Sequence, residues 1–255
     1  MEGAGVGTPR RAWVEQAMGL PFSIHVRGAS ARTTGVGRAV EEAFTELRRL
    51  DDVFSPFSAG SEISRLDRGE LTLRECSPLV GELLELAELA RARTDGAFDV
   101  RLPGADGRRR LDTNGLVKAW AAERAAAIVA RAIGDDDLLL NAGGDVVVTC
   151  GSDRWPPWCI GIEDPDDPSL LLATIERRAG AVATSGSAHR GGHILDPRTG
   201  EACLAVRSAT VAGPSLIWAD VYATAAVVRG RGAHRFLADL DDYDGIVVEP
   251  RTAVG

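Results

Sequence analysis

Apolar and polar residues alternate over residues 21–26 (PFSIHV), which predicts a strand, and Val40, Phe44, Leu47 and Leu50 recur at helical spacing within residues 37–54. Ser61 stands where a serine can cap a short helix over residues 61–66, and residues 71–74 read as a short strand. Ser77-Pro78 opens an amphipathic helix that runs to Arg93 and stops at Thr94-Asp95-Gly96, proline being tolerated in the first turn. Residues 100–110, rich in Gly, Pro and charge, read as a loop, and a second long helix covers residues 115–133.

Beyond Gly134 the pattern shifts to short β-rich runs at residues 138–140, 146–150, 158–162, 170–175, 181–184 and 208–212. Asn141-Ala142-Gly143-Gly144-Asp145 lies between two of them as a hairpin turn. Helices at 215–228 and 234–240 and a strand at 245–248 complete the pattern. Strands and helices do not alternate as βαβ units, so the expected class is α+β, with residues 1–17 as a flexible leading segment and residues 18–255 as one domain.

Composition narrows the function. The chain has 255 residues, 45% hydrophobic and 26% charged, which describes a globular protein able to bury a core without disulfide or metal staples. A formal net charge of −8 argues against nucleic acid or an anionic membrane as the main partner. No apolar stretch approaches the roughly 20 residues of a bilayer span. The first residues lack the apolar core of a secretory signal, so a cytoplasmic location without membrane insertion is expected. Cys76, Cys150, Cys159 and Cys203 show no metal or redox spacing and read as buried or idle thiols. The acidic runs 135–137, 164–167 and 241–244 read as solvated turns.

Four features could carry chemistry. Lys118 is the single lysine among 29 basic residues, either a survivor on a helix surface or a group placed for a reason that arginine cannot serve. It lies in Leu111-Asp112-Thr113-Asn114-Gly115-Leu116-Val117-Lys118, which reads either as a capped helix start or as a helix N-terminus that meets a phosphate. Residues 184–200 hold His189, His193, Arg190 and Arg198 among hydroxyls and glycines, a decorated hairpin or a set of general-base and phosphate-clamping groups. Asp220 and Thr224, four apart on a helix, are either a hard-cation pair or a buried Asp bonded to a hydroxyl. Gly35-Val36-Gly37 lacks the rest of a dinucleotide fingerprint.

In their order along the chain these pieces resemble the ApbE family of FAD:protein FMN transferases. The blocks are MGLPF at 18–22, SEISRLD at 61–67, GAFD at 96–99, residues 112–122, NAGGD at 141–145, VATSG at 182–186, HILDPRTG at 193–200 and ADVYATA at 219–225. The resemblance implies a T-fold-related architecture of mixed sheets with packed helices. It also implies magnesium-dependent transfer of FMN from FAD to a Ser or Thr hydroxyl of a target flavoprotein, with release of AMP. Under the same resemblance, Met18, Phe57, Ala97, Phe98, Asp99, Asp112, Lys118 and Leu195 would line the FAD site, and Gly115, Asp220 and Thr224 would hold Mg2+. His193 is the candidate general base, with Asp112 and Arg198 as further candidate catalytic groups. The same site could instead hydrolyse FAD to FMN and AMP, or hold FAD without turning it over. Phe57 stands where family members commonly carry tyrosine, and the connection from Asp99 to Asp112 is shorter than in relatives.

Overall fold

A computed structural model describes residues 9–104, 107–186 and 194–250. The described residues form eleven strands and six α-helices: β1 (Arg10–Ala17), β2 (Leu20–Arg27), α1 (Thr34–Phe54), α2 (Glu62–Asp67), α3 (Pro78–Arg93), β3 (Arg101–Pro103), β4 (Arg109–Leu111), α4 (Asn114–Ile133), β5 (Asp137–Ala142), β6 (Asp145–Thr149), β7 (Trp158–Asp164), β8 (Asp167–Arg177), β9 (Ala179–Gly186), β10 (Ser208–Gly213), α5 (Leu216–Arg229), α6 (Ala233–Ala238) and β11 (Asp244–Val248). The class is α+β. Seven strands form one sheet in the order β1-β2-β5-β6-β9-β10-β11, every neighbouring pair antiparallel. Two separate hairpins, β3-β4 and β7-β8, stand apart from it.

Strand alternation sorts the sheet into two faces. Phe22, Ile24 and Val26 of β2, Leu138 and Leu140 of β5, and Ala181 and Ala183 of β9 pack in one core with Leu47 and Leu50 of α1, Leu116 and Trp120 of α4, and Val221 and Tyr222 of α5. On the opposite face, Val146 and Val148 of β6 and Val182 of β9 meet Ile160 and Ile162 of the β7-β8 hairpin in a second, smaller cluster. Leu170, Leu171 and Leu172 of β8 are exposed. Among the described residues, no helix is long and apolar enough to cross a membrane.

Several local expectations are corrected. Residues 10–17, expected in a flexible leader, form β1 and pair along their whole length with β2. Residues 71–74 form no strand: Leu73–Glu75 is a 3-10 turn, because the Glu75 carboxylate accepts from both the Thr72 backbone N–H and its hydroxyl at 2.8 Å, closing a capping box. The loop expected at 100–110 contains the hairpin β3-β4. Nor are all the acidic runs solvated turns. Asp137 is wholly buried in β5, where Arg27 donates to it from Nη2 at 2.6 Å and Nε at 3.0 Å, and Asp164 is buried too. None of the four cysteines is fully buried, and all are free thiols. Partial burial still pushes the Cys76, Cys150 and Cys203 thiols up, which suppresses thiolate chemistry.

Candidate active site

The hairpin that joins β5 to β6 places the first functional side chain. Gly143 and Gly144 both adopt positive φ (62° and 111°), a two-residue connection that L side chains rarely allow, and Ala142 pairs directly with Asp145. Asp145 and Val147 therefore face the helices, while Val146 and Val148 face the β7-β8 hairpin. Asp145 is held there by its Oδ1, which accepts from the Thr184 backbone N–H at 2.9 Å.

Lys118, one turn into α4, reaches the same place. Its ammonium is ion-paired with Asp145 Oδ2 and stands 3.4 Å from Asp220 Oδ2 of α5. The two carboxylates are 3% and 4% exposed and the lysine 22%, so the cluster is closed on the protein side and opens outward along the lysine. Among the described residues, the two facing carboxylate oxygens are shielded from water and make no other hydrogen bond. Burial works against the Lys118 ammonium, but Asp220 and then Asp145 outweigh it and hold its pKa above the ordinary lysine value. Burial also pushes the Asp220 carboxyl well up; Lys118 opposes that rise and the Asp145 charge adds to it.

One turn beyond Asp220, Thr224 Oγ1 lies 2.9 Å from Ser185 Oγ of β9, so both members of the i, i+4 pair point toward the sheet. Ser215 caps α5, its hydroxyl accepting from Trp218 N–H at 3.4 Å. Glu123 of α4 reinforces this start, its Oε1 accepting from Ser215 Oγ at 2.8 Å and from the Leu216 N–H at 2.5 Å. That clamp locks α5 to α4 and sets the height of Asp220 opposite Lys118. At the start of α4, Asp112 Oδ1 accepts from Asn114 N–H at 3.0 Å, and Thr113 makes no side-chain cap. The capped start expected of Asp112 and Thr113 is therefore not formed as a capping box; Asp112 instead closes a turn onto Asn114, the first residue of the helix.

The other candidates lie around this cluster at different depths. Gly115 packs against the Phe98 ring, which would touch a Cβ at 3.4 Å. Ala97 packs with Ala225 and Val228 of α5, joined by Ile194, which precedes Leu195. Leu195 itself pairs in an isolated bridge with Ala202. Asp99 is paired to Arg109 at 2.9 Å and borders a cleft of about 440 Å³ that Arg91, Arg101 and Arg198 also line. Arg198 is engaged bidentately by Asp196 at 2.7 and 2.8 Å, within its own turn. Met18, with φ 53°, donates its N–H to Asp51 Oδ2 at 2.9 Å, and Phe57 is 92% exposed beyond the end of α1. No hydrogen bond or ion pair ties Met18 or Phe57 to the Lys118 cluster among the described residues. His193 lies outside the described residues.

Sequence reading missed Asp145 as a site residue. The available signal was a carboxylate at the first position of an apolar strand, directly after a two-glycine turn. It also missed Glu123, which in sequence is one more charge on a helix.

The buried Asp220 carboxylate oxygen and the Thr224 hydroxyl, one helical turn apart, are hard oxygen donors of the kind magnesium takes. Among the described residues, no group of three or more His, Cys, Asp and Glu gathers as a metal cluster, so an ion here depends on mixed donors and on substrate oxygens.

The fold agrees with known proteins. The ApbE family model matches residues 18–105 and 101–247. A Rhodobacter capsulatus protein described as FAD:protein FMN transferase is 36% identical over 129 residues, which make up 48% of this chain and 24% of that protein. The match thus spans about a quarter of that relative's length. The ApbE protein of Thermotoga maritima superposes with a TM-score of 0.79 at 22% identity, covering 94% of each chain. The flavin transferase ApbE of Vibrio cholerae gives a TM-score of 0.73 at 21% identity, covering 94% of this chain and 97% of its own. The Pseudomonas stutzeri flavinyl transferase ApbE gives 0.76 at 20% identity, over 96% of this chain and 93% of its own. With the family model matching most of its length, the chain belongs to the ApbE family.

Proposed function

We propose that this protein is a magnesium-dependent FAD:protein FMN transferase. The observation that carries the reading is the lone lysine, set between two buried carboxylates at the junction of α4, α5 and β6, in a chain of this family. A generic surface charge needs no such enclosure; a cation meant for the phosphates of a dinucleotide does.

In this reaction a Ser or Thr hydroxyl of a target flavoprotein attacks the FMN-side phosphorus of FAD. The new P–O ester bond forms as the bond to the AMP phosphate breaks, AMP leaves, and the hydroxyl proton goes to a base, for which His193 is the candidate. Asp220, Thr224 and the Gly115 carbonyl would hold magnesium, which neutralises charge on the pyrophosphate oxygens. Lys118 supplies a fixed positive charge beside the same oxygens. Met18, Phe57, Ala97, Phe98, Asp99, Asp112 and Leu195 would border the flavin nucleotide, the exposed Phe57 ring offering a face for stacking. Arg198 is a candidate for the phosphates once its Asp196 partner is exchanged for them.

The test is mass spectrometry of an acceptor flavoprotein after incubation with the chain, FAD and Mg2+, with free nucleotides followed by chromatography. An FMN-sized mass gain matched by AMP supports transfer. FMN and AMP without an adduct would assign an FAD pyrophosphatase, and intact bound FAD would assign a non-catalytic flavin binder. Replacing His193 by Ala should lower kcat for transfer by about 100-fold while FAD affinity changes little. Equal losses in both would make His193 a substrate-positioning group.

A further inference from the structure

Two buried carboxylates face one ammonium, so with both ionised the cluster holds one negative charge more than the lysine balances. The lysine does not divide itself evenly. It lies in close contact with Asp145 and stands off at 3.4 Å from Asp220. Asp145 is also the more rigid partner, anchored by Thr184 N–H and by its position next to a two-residue turn. Asp220 has the looser contact with the lysine and the hydroxyl of Thr224 one helical turn away.

We propose that Lys118 and a divalent cation share Asp220, and that Asp145 is the positioning residue that keeps Lys118 in the site when the cation takes Asp220. In the ion-free protein, Lys118 is a resident counter-charge. Once the ion binds, Asp220 is withdrawn from the lysine, and Asp145 holds the ammonium beside the ion instead of letting it swing into solvent. The device rests on the metal reading given above. It goes beyond that reading by assigning Asp145 a role and by making Lys118 a competitor of the ion as well as a contact for phosphates.

The test is binding of Mn2+ to the full chain, read by electron paramagnetic resonance, with and without saturating FAD. Wild type, Lys118→Met, Asp145→Asn and the double variant are compared, with thermal melts as the folding control. Removing the competitor should tighten Mn2+ binding by about tenfold, and Asp145→Asn, which leaves Lys118 only Asp220 to pair with, should weaken it by about tenfold. In the Lys118→Met background, Asp145→Asn should change affinity by less than about threefold, because the residue it positions is gone. An undiminished loss in that background would make Asp145 a direct ligand and overturn the proposal. Weaker binding in Lys118→Met would overturn it as well, and that single variant decides the point if Asp145→Asn does not fold. Absence of Mn2+ binding to the wild-type chain in both conditions would sink the metal reading and the proposal together.

Discussion

At the scale of single residues, two of the buried charge clusters among the described residues contrast. Arg27 and Asp137 join β2 to β5 one to one, with the Trp158 ring 4.2 Å from the guanidinium. Lys118, Asp145 and Asp220 differ in having one carboxylate too many. Asp220→Ala should therefore leave a folded chain whose Mg2+-dependent AMP release drops by at least ~100-fold, checked by chromatography of the nucleotide products. A second residue predicts pH behaviour. Burial, and next the charge of Arg10, lower the His25 pKa below its ordinary value. The unfolded imidazole takes up its proton first as pH falls through about 6.5, so the stability held by neutral His25 is complete above that pH and is lost below it. Thermal melts at pH 7.5 and 5.5 should show a smaller drop for His25→Gln than for wild type. From sequence, Lys118 and Asp220 were legible because a lone lysine and an i, i+4 oxygen pair are unusual locally. Asp145 was not, because its meaning depends on which face of a sheet it points to.

At the scale of elements, helices were read well and short strands poorly. The long amphipathic segments α1, α3 and α4 carry their periodicity over several turns, and Ser61 announces a cap that the structure bears out. Three-residue strands such as β3 and β4 have no periodicity to show and exist only because each pairs with the other. The Thr72–Glu75 turn deceived for a related reason: its polar-apolar alternation is real, but a side-chain hydrogen bond decides the backbone. A contact that no single element announces is Glu123, one side chain serving the first turn of another helix. Glu123→Ala should cost about 1–3 kcal/mol in chemical denaturation by orphaning those donors. It should also weaken Mn2+ binding at Asp220, whereas Glu123→Gln, which keeps an acceptor oxygen, recovers part of both.

At the scale of the whole molecule, one sheet separates two unequal tasks. Its helix-covered face carries the main core and the site, and its other face is covered by a hairpin that contributes only a small apolar cluster. The hairpin should open without the site: its amides are expected to exchange with deuterium sooner than those of β6 and β9. Ile160→Ala, costing about 2–4 kcal/mol of packing, should speed that exchange further while Mn2+ affinity stays at the wild-type value. The two-glycine link between β5 and β6 also has a consequence for how this scaffold can be altered. Successive strand residues face opposite sides, so a change in that link that slips the β5-β6 register by one residue would send Asp145 to the hairpin side and bring an apolar neighbour to face Lys118. A residue inserted in the turn and absorbed there, as in a three-residue loop with a bulge, would keep Ala142 opposite Asp145. In library design that turn should therefore accept any length that preserves this one pairing and reject those that shift it.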